Sequence, residues 1–519
     1  MSSADMGDAE AIQTLTRPPF EQWGTALEDN LEWASKLTGD LGSLRAEARR
    51  DVRSLELQAP ATGGVADSDA ALQDEPETSV KPLVVTGHQP DFWHPGIRVK
   101  VLLAGILAGQ YHGRPLDIVV DTDDVGRLGF RAPVGGSDVS QREVTLAEYP
   151  PGTPYVSAHL PGAADLARFR SAGVDALSTL PMRGPLEGFA RFCDALEVST
   201  VAGDDLGAVM TRARHAVDPA SARGVAVRLS DQVRTPSFRR FAAMIFGDAE
   251  QFARIYNDAL AAYRLATGTR SVAQPVPDMA RFGERVEVPF WVLEDGRRTV
   301  ASIARGMLYA DDRVVCALGG SQDAACAALA SEGVLLAPKA LALTMFERVC
   351  VADLFIHGTG GGRYDSVTDV MIRGYFGIEP PGFVVASMTA HAPLGLDVAP
   401  GASVAEIDQK LHRLKHNPDS VAAADASELG SAVDVLHELA REKERLVAAI
   451  GQPDADRKAL GLRIKELNTG MHRLLAPVTD ALAVERTQAE RREHARAVIT
   501  DRTYPYFLYD LDALDHALA

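Results

Sequence analysis

The chain has 519 residues, 46% of them apolar and 24% charged, with a formal net charge of -18. That length suits roughly two to four domains, and the composition is that of a globular protein able to bury a sizeable core. Strong acidity argues against a nucleic-acid partner, and the sequence holds no run of about 18 apolar residues that would predict a membrane span.

The start, MSSADMGDAEAIQ, has neither a basic n-region nor an apolar h-region, so no secretion signal is expected and the reading is cytoplasmic. Residues 1–80 read as an N-terminal helical segment followed by a mobile loop, 58–80, rich in Ala, Gly, Asp, Ser and Pro. From Lys81 the signals become α/β. LVVT, the helical stretch GIRVKVLLAGILAG and the apolar run LDIVV make a strand-helix-strand unit, so 81–150 is the first part of a parallel-sheet core. Residues 151–330 read as a mostly helical insertion, although VEVPFWVLEDGRRTVAS predicts two strands about an Asp-Gly turn. Core signals return over 331–400, in GVLLAP, DLFIHG and GFVVASMTA. Residues 401–519 turn helical, opened by a capping box at Ser403 and Glu406. Leu460, Ile464, Leu467, Met471, Leu474 and Val478 fall at 4-3-4-3-4 spacing, the seam of a hairpin or coiled coil whose partner is 430–450, and Pro477 is expected to kink or end its second helix.

Two strand-to-helix junctions carry the polar residues. Thr86-Gly87-His88-Gln89 ends the first strand, and His94-Pro95 opens the next helix, with Lys100 inside it. The two histidines are spaced for a shaped loop rather than as a helix-face metal pair. They are expected to bind a phosphate or carboxylate, or to move a proton. Asp121, Asp123 and Asp124 follow the second strand. They suit a base, an amine or ribose contact, or equally a cluster of turn and cap residues. His357-Gly358-Thr359-Gly360-Gly361-Gly362-Arg363-Tyr364 follows DLFI. Its glycines are expected to turn backbone N–H groups toward an anion that Arg363 also grips, but it lacks the Lys-Ser/Thr of a P-loop and the dinucleotide-fingerprint spacing. The four cysteines, Cys193, Cys316, Cys326 and Cys350, have no metal-ligand spacing. They read as buried apolar residues, and no metal site is expected.

Taken together, these motifs resemble the bacillithiol biosynthesis cysteine-adding enzymes. Thr86-Gly-His-Gln-Pro is similar to that family's early Thr-Gly-Gln-Gln motif, Asp121-Thr-Asp123 lies where it has an acidic cluster, and Leu335 to Lys339 with Ala352 to Tyr364 looks like its later Gly-rich segment. The resemblance implies an α/β fold: a Rossmann-like parallel-sheet core with a large helical insertion and a C-terminal helical hairpin or coiled coil that forms a homodimer. It implies ligation of an amino acid to a small sugar-linked amine. His88, His94, Asp121 and Asp123 would be catalytic, and Thr86, Gly87, Gln89, Lys100, Gly358, Gly360, Gly361, Arg363 and Tyr364 would bind substrate. ATP or ADP is the cofactor class left open, since the class I synthetases set a His-containing loop on ATP phosphates. His88 replaces the family's first Gln, and Pro90 to Pro95 replaces a smaller loop, which suggests another amine acceptor. A binding or scaffold protein without chemistry and a sugar-nucleotide transferase are the alternative readings.

Overall fold

The computed structural model describes residues 12–58, 81–201, 205–271, 276–421 and 432–518. The expected mobile loop thus lies almost wholly outside the described residues. In chain order the elements are β1 (Gln13–Arg17), α1 (Trp23–Ser35), α2 (Gly39–Gln58), β2 (Leu83–His88), α3 (Pro95–Gln110), β3 (Arg114–Val119), β4 (Arg127–Val134) and β5 (Ser140–Glu148). The insertion brings α4 (Ala163–Leu177), α5 (Gly184–Val201), α6 (Leu206–Val217), β6 (Val225–Arg228), α7 (Leu229–Gln232), α8 (Pro236–Gly247), α9 (Ala249–Thr267), β7 (Arg281–Phe282), β8 (Arg285–Glu294), β9 (Arg297–Ala304), β10 (Met307–Ala310) and β11 (Arg313–Ala317). Then come α10 (Gln322–Ser331), β12 (Leu335–Pro338), α11 (Ala340–Phe346), β13 (Leu354–His357), α12 (Thr359–Phe376), β14 (Phe383–Thr389), α13 (Val404–His416), α14 (Ala432–Ile450), α15 (Arg457–Leu474), α16 (Ala476–Ile499) and α17 (Leu511–His516).

The protein is α/β. Its central sheet runs in the order β1-β14-β13-β2-β3-β6. The last five are parallel, and β1 is antiparallel at the edge. β1 departs from the helical reading of the first segment. Its residues are almost all exposed, so QTLTR carries no apolar pattern, and pairing with β14 alone makes it a strand. The sheet is buried on both faces, as its continuous apolar strands require. One face packs Leu83, Val85, Leu116, Ile118 and Val227 against α2, α8, α9 and the second sheet. The other packs Val84, Leu354, Ile356, Val384 and Ala386 against α1, α3, the β4–β5 hairpin and α4 to α6.

The insertion is less helical than its sequence suggests. It contains an antiparallel sheet in the order β11-β10-β9-β8-β12, with β7 paired to β8. The Asp-Gly turn between β8 and β9 forms as expected, with positive φ at Asp295 (49°) and Gly296 (73°). β12 was expected in the parallel core but pairs antiparallel with β8, because an apolar run says that a strand is buried and not which sheet buries it.

α14 and α15 form the expected hairpin, the Ser403–Glu406 capping box forms at α13, and Pro477 sits in the first turn of α16, where its missing N–H costs nothing. Leu467, Met471 and Val478 of the seam are buried with Ile407, Leu414 and Leu436 from α13 and α14. Half of the stripe is thus covered within the chain, while Leu460, Ile464 and Leu474 stay half-buried. Residues 504–514 leave this helical arm and return to the main core, where Tyr504, Tyr506, Phe507 and Leu508 are buried. Among the described residues, no helix is long and apolar enough to cross a membrane.

Candidate functional site

The sheet order makes β2 a divergence point. From β2 the chain steps through β3 to β6 on one side, and later from β13 to β14 on the other. The carboxyl ends of β2 and β13 therefore lie at the switch point where open α/β sheets hold ligands. Leu354 pairs with Val84 and Phe355 with Val85, so Gly87-His88 and His357-Gly358 emerge side by side. Thr86 ties the two strands, its Oγ1 donating to the Ile356 carbonyl at 3.0 Å.

Lys100 closes this junction from α3. Its Nζ donates to the Gly87 carbonyl oxygen at 2.9 Å, and its stem runs 3.9 Å from where a Cβ on Gly358 would stand. Removal from water lowers its pKa to about 8, with Asp117 opposing and Arg214 assisting. His88 is held neutral, its pKa lowered to about 3 by burial first and then by Lys100. Its Nδ1 lies 3.2 Å from the Gln89 carbonyl oxygen, so a neutral ring carries its proton there and leaves Nε2 as the acceptor.

His94 also acts electrostatically on His88, which puts the two imidazoles in one neighbourhood. Its own role is local: it is the N-cap of α3, and its Nδ1 accepts from the Gly96 N–H at 3.1 Å. Burial and the nearby Arg502 and Lys100 lower its pKa. Gly96 permits this fit, since a Cβ there would stand 2.9 Å from the His94 ring and the Ser387 hydroxyl at the end of β14. Gln89 turns away from the histidines, with Nε2 donating to Asp123 at 2.7 Å. Trp93 is buried, donates to the Gln89 carbonyl oxygen, and carries the Arg214 guanidinium 3.6 Å above its ring.

The aspartates at the end of β3 are engaged by the protein itself. Both Asp121 oxygens accept from Ser230, one from its N–H at 2.8 Å and one from its hydroxyl at 2.6 Å. Burial raises the Asp121 pKa to about 7 despite those bonds. Asp123 accepts from Gln89 and from Arg298 of β9, and Asp124 accepts from the Gly152 N–H. Among the described residues, no three His, Cys, Asp or Glu side chains gather as a metal site.

The glycines after β13 differ from the expected loop. Thr359 to Gly362 form the first turn of α12, none with positive φ. Their use is close approach: a Cβ on Gly361 would stand 2.7 Å from the His357 ring, and one on Gly362 only 2.4 Å from Val385. Gly358 offers no side-chain cap, and Gly360 and Gly361 are exposed, so the early N–H groups of α12 keep their anion-binding capacity. His357 is fixed below them by Asp365, at 2.8 Å, and Asp365 in turn by Arg348 at 2.7 Å. Arg363 is exposed, with no hydrogen bond or ion pair among the described residues, and Tyr364 packs edge-on to Tyr263 of α9.

The geometry thus brings Thr86, Gly87, His88, His94, Lys100 and Gly358 together and sets Gln89, Asp121 and Asp123 in an adjoining network. Ser230 and Arg298 hold that network, Arg214 braces the loop by stacking on Trp93 and pairing with Asp117, and sequence reasoning missed all three. They arrive from α6, α7 and β9, far along the chain, with no motif around them. A scan against protein-family models returns no match to this chain. A search of curated proteins likewise finds no relative.

Proposed function

We propose that this chain is an enzyme with a Rossmann-like core that binds the anionic part of a small-molecule substrate at the junction of β2 and β13, and that it joins an amino acid to a small sugar-linked amine. The strand order β6-β3-β2-β13-β14, all parallel, supports the Rossmann-like reading. The observation that carries the site is Lys100, a buried ammonium beside Gly358 at the uncapped start of α12. A cation and a set of free N–H groups at one strand junction suit a phosphate or carboxylate. Amide formation would need the amino acid's carboxyl activated by a nucleoside triphosphate, so that the amine displaces a phosphate or nucleotide leaving group. His88 supports that step: its Nε2 has no partner among the described residues and can accept the proton the attacking amine loses, with a bound anion raising its basicity. The reading takes the substrate to be soluble and cytoplasmic.

A thermal-shift screen with ATP, ADP, cysteine and glucosaminyl-malate, followed by mass spectrometry of the reaction mixture, tests the reading. A shift with an anionic ligand that Lys100→Met removes, and a condensation product, are expected. A wild-type protein that forms no product with any amine overturns the ligation. A second reading, a binding protein without chemistry, draws support from Trp93, which is buried at the loop beneath the Arg214 guanidinium and fills space a substrate would need. Ligand binding without turnover would favour it. The sugar-nucleotide reading needs a metal near Asp121 and Asp123, and no observation favours it.

A further inference from the structure

A cavity of about 220 Å³ opens beside the His88–Pro95 loop, apart from the β2–β13 junction. Asp91 and Phe92 of the loop, Phe130, Arg131 and Glu143 of the β4–β5 hairpin, and Thr503 line it. The volume equals that of about seven liquid waters and falls below the roughly 300 Å³ at which pockets for drug-sized ligands begin. It suits a molecule of about the size of one amino acid.

Two of the charges on its walls, Arg131 and Asp91, lack an ion-pair partner among the described residues, whereas Glu143 pairs with Arg127. Arg131 stands directly opposite Glu143 in the β4–β5 register, yet the two form no ion pair, and Glu143 leans toward Arg127 at 3.8 Å. Arg131 makes no hydrogen bond or ion pair among the described residues, although its charge acts on Asp501 and Tyr504 nearby. One Asp91 oxygen accepts from the Phe92 N–H at 2.6 Å, and the other has no bond among the described residues. Although the residue as a whole is exposed, desolvation by the walls raises the pKa of its carboxyl. A cation beside it would relieve that cost. Phe92 and Phe130 give an apolar wall, their rings 5.8 Å apart and backed by Phe169 and Phe507.

The balance of charges selects the ligand. A simple anion gains one guanidinium but faces two carboxylates. A diamine leaves Arg131 unmatched. A zwitterion with a short apolar side chain matches both free charges and the apolar wall, its carboxylate on the Arg131 fork and its ammonium at Asp91, and leaves Glu143 to Arg127. We propose that this cavity is a binding site for a free α-amino acid, held between Arg131 and Asp91. The site borders the proposed chemistry, because Asp501, which accepts from the Thr503 hydroxyl at 2.6 Å, also acts on His94. The inference deepens the proposed function and rests on it only for the fate of the bound amino acid.

Isothermal titration of the full chain with a panel of free amino acids tests it. At least one is expected to bind with a Kd below about 1 mM. The matching amine without the carboxylate and the matching acid without the ammonium should each bind about tenfold more weakly. Arg131→Gln and Asp91→Asn should each weaken binding by a similar factor without lowering the melting temperature, and Lys100→Met should leave it unchanged. No amino acid binding, or affinity untouched by both pocket substitutions, overturns the proposal. Affinity lost in Lys100→Met but kept in Arg131→Gln would move the amino acid to the β2–β13 junction, which refutes this site and leaves the ligase reading intact. Binding in the pocket with no product from any amine would do the reverse.

Discussion

Lys100→Met should make the free protein more stable while abolishing anionic-ligand binding. The lysine is an ammonium held out of water, and burial lowers its pKa from 10.5 to about 8. That drop corresponds to about 3 kcal/mol charged against the folded state wherever the unfolded lysine is protonated and the folded one must be too. Methionine fills a similar volume without charge. It forfeits the bond to the Gly87 carbonyl oxygen, worth about 1 kcal/mol, so a net gain of about 1–2 kcal/mol is expected at neutral pH. The gain has a pH signature. Below the folded value of about 8 the lysine carries its full cost. Between there and 10.5 the unfolded chain binds more protons than the folded one, so the native protein gains stability with pH and catches up with the variant. Urea unfolding of both proteins at about pH 7 and about pH 10 measures the gap at each end. A variant that is less stable at neutral pH, or a gap that does not shrink as pH rises, would refute the reasoning and make Lys100 a structural residue.

The glycines of α12 should separate by position. Gly362→Ala drives a methyl into Val385 and should cost about 1–3 kcal/mol, whereas Gly360→Ala meets nothing within 4 Å and should stabilise by up to about 1 kcal/mol, both read from thermal melts. Asp121→Asn should stabilise above the folded pKa of about 7, since an acid with a raised pKa opposes folding there. The advantage should fade as pH falls toward 3.8, and a loss of stability at neutral pH would mean that the charge is needed beside Arg228. Arg98→Met leaves the buried Asp218 without its two-bond partner and should cost about 3–5 kcal/mol in chemical denaturation.

The two junctions that form the candidate site were legible because each is local: an apolar strand, a polar turn and a helix start within about 20 residues. That both open on the same edge of the sheet also followed, since parallel strands feeding helices must do so, but that β2 and β13 are neighbours is known only from the sheet order. Local reading failed where partners come from afar. The Asp121 to Asp124 cluster looks the same in sequence whether it faces a substrate or Ser230 and Arg298, and only the folding of α7 and β9 onto it decides. The run Gly-Thr-Gly-Gly-Gly reads as a loop because glycine weakens helices. It is helical here, and Gly361 and Gly362 are there because the His357 ring and Val385 leave no room for side chains, a fact about packing that propensity does not contain. The strand β1 and the amino-acid-sized cavity share this character, since pairing or the meeting of three distant segments creates them.

The return of residues 504–516 to the core has a consequence for biosynthesis. The Tyr506 N–H donates to the Trp93 carbonyl oxygen, and Asp515 supplies the third carboxylate bond to Arg98 across 417 residues of chain. At about 5–20 residues per second, a ribosome needs roughly 20–80 s to make that span. Throughout that time the loop carrying His88 and His94 lacks its final brace, and the aromatic cluster lacks Phe507. The nascent chain must therefore wait with its central junction half-built, and a ribosome stall within the helical arm would release a protein that has every strand of the sheet and an unfinished site.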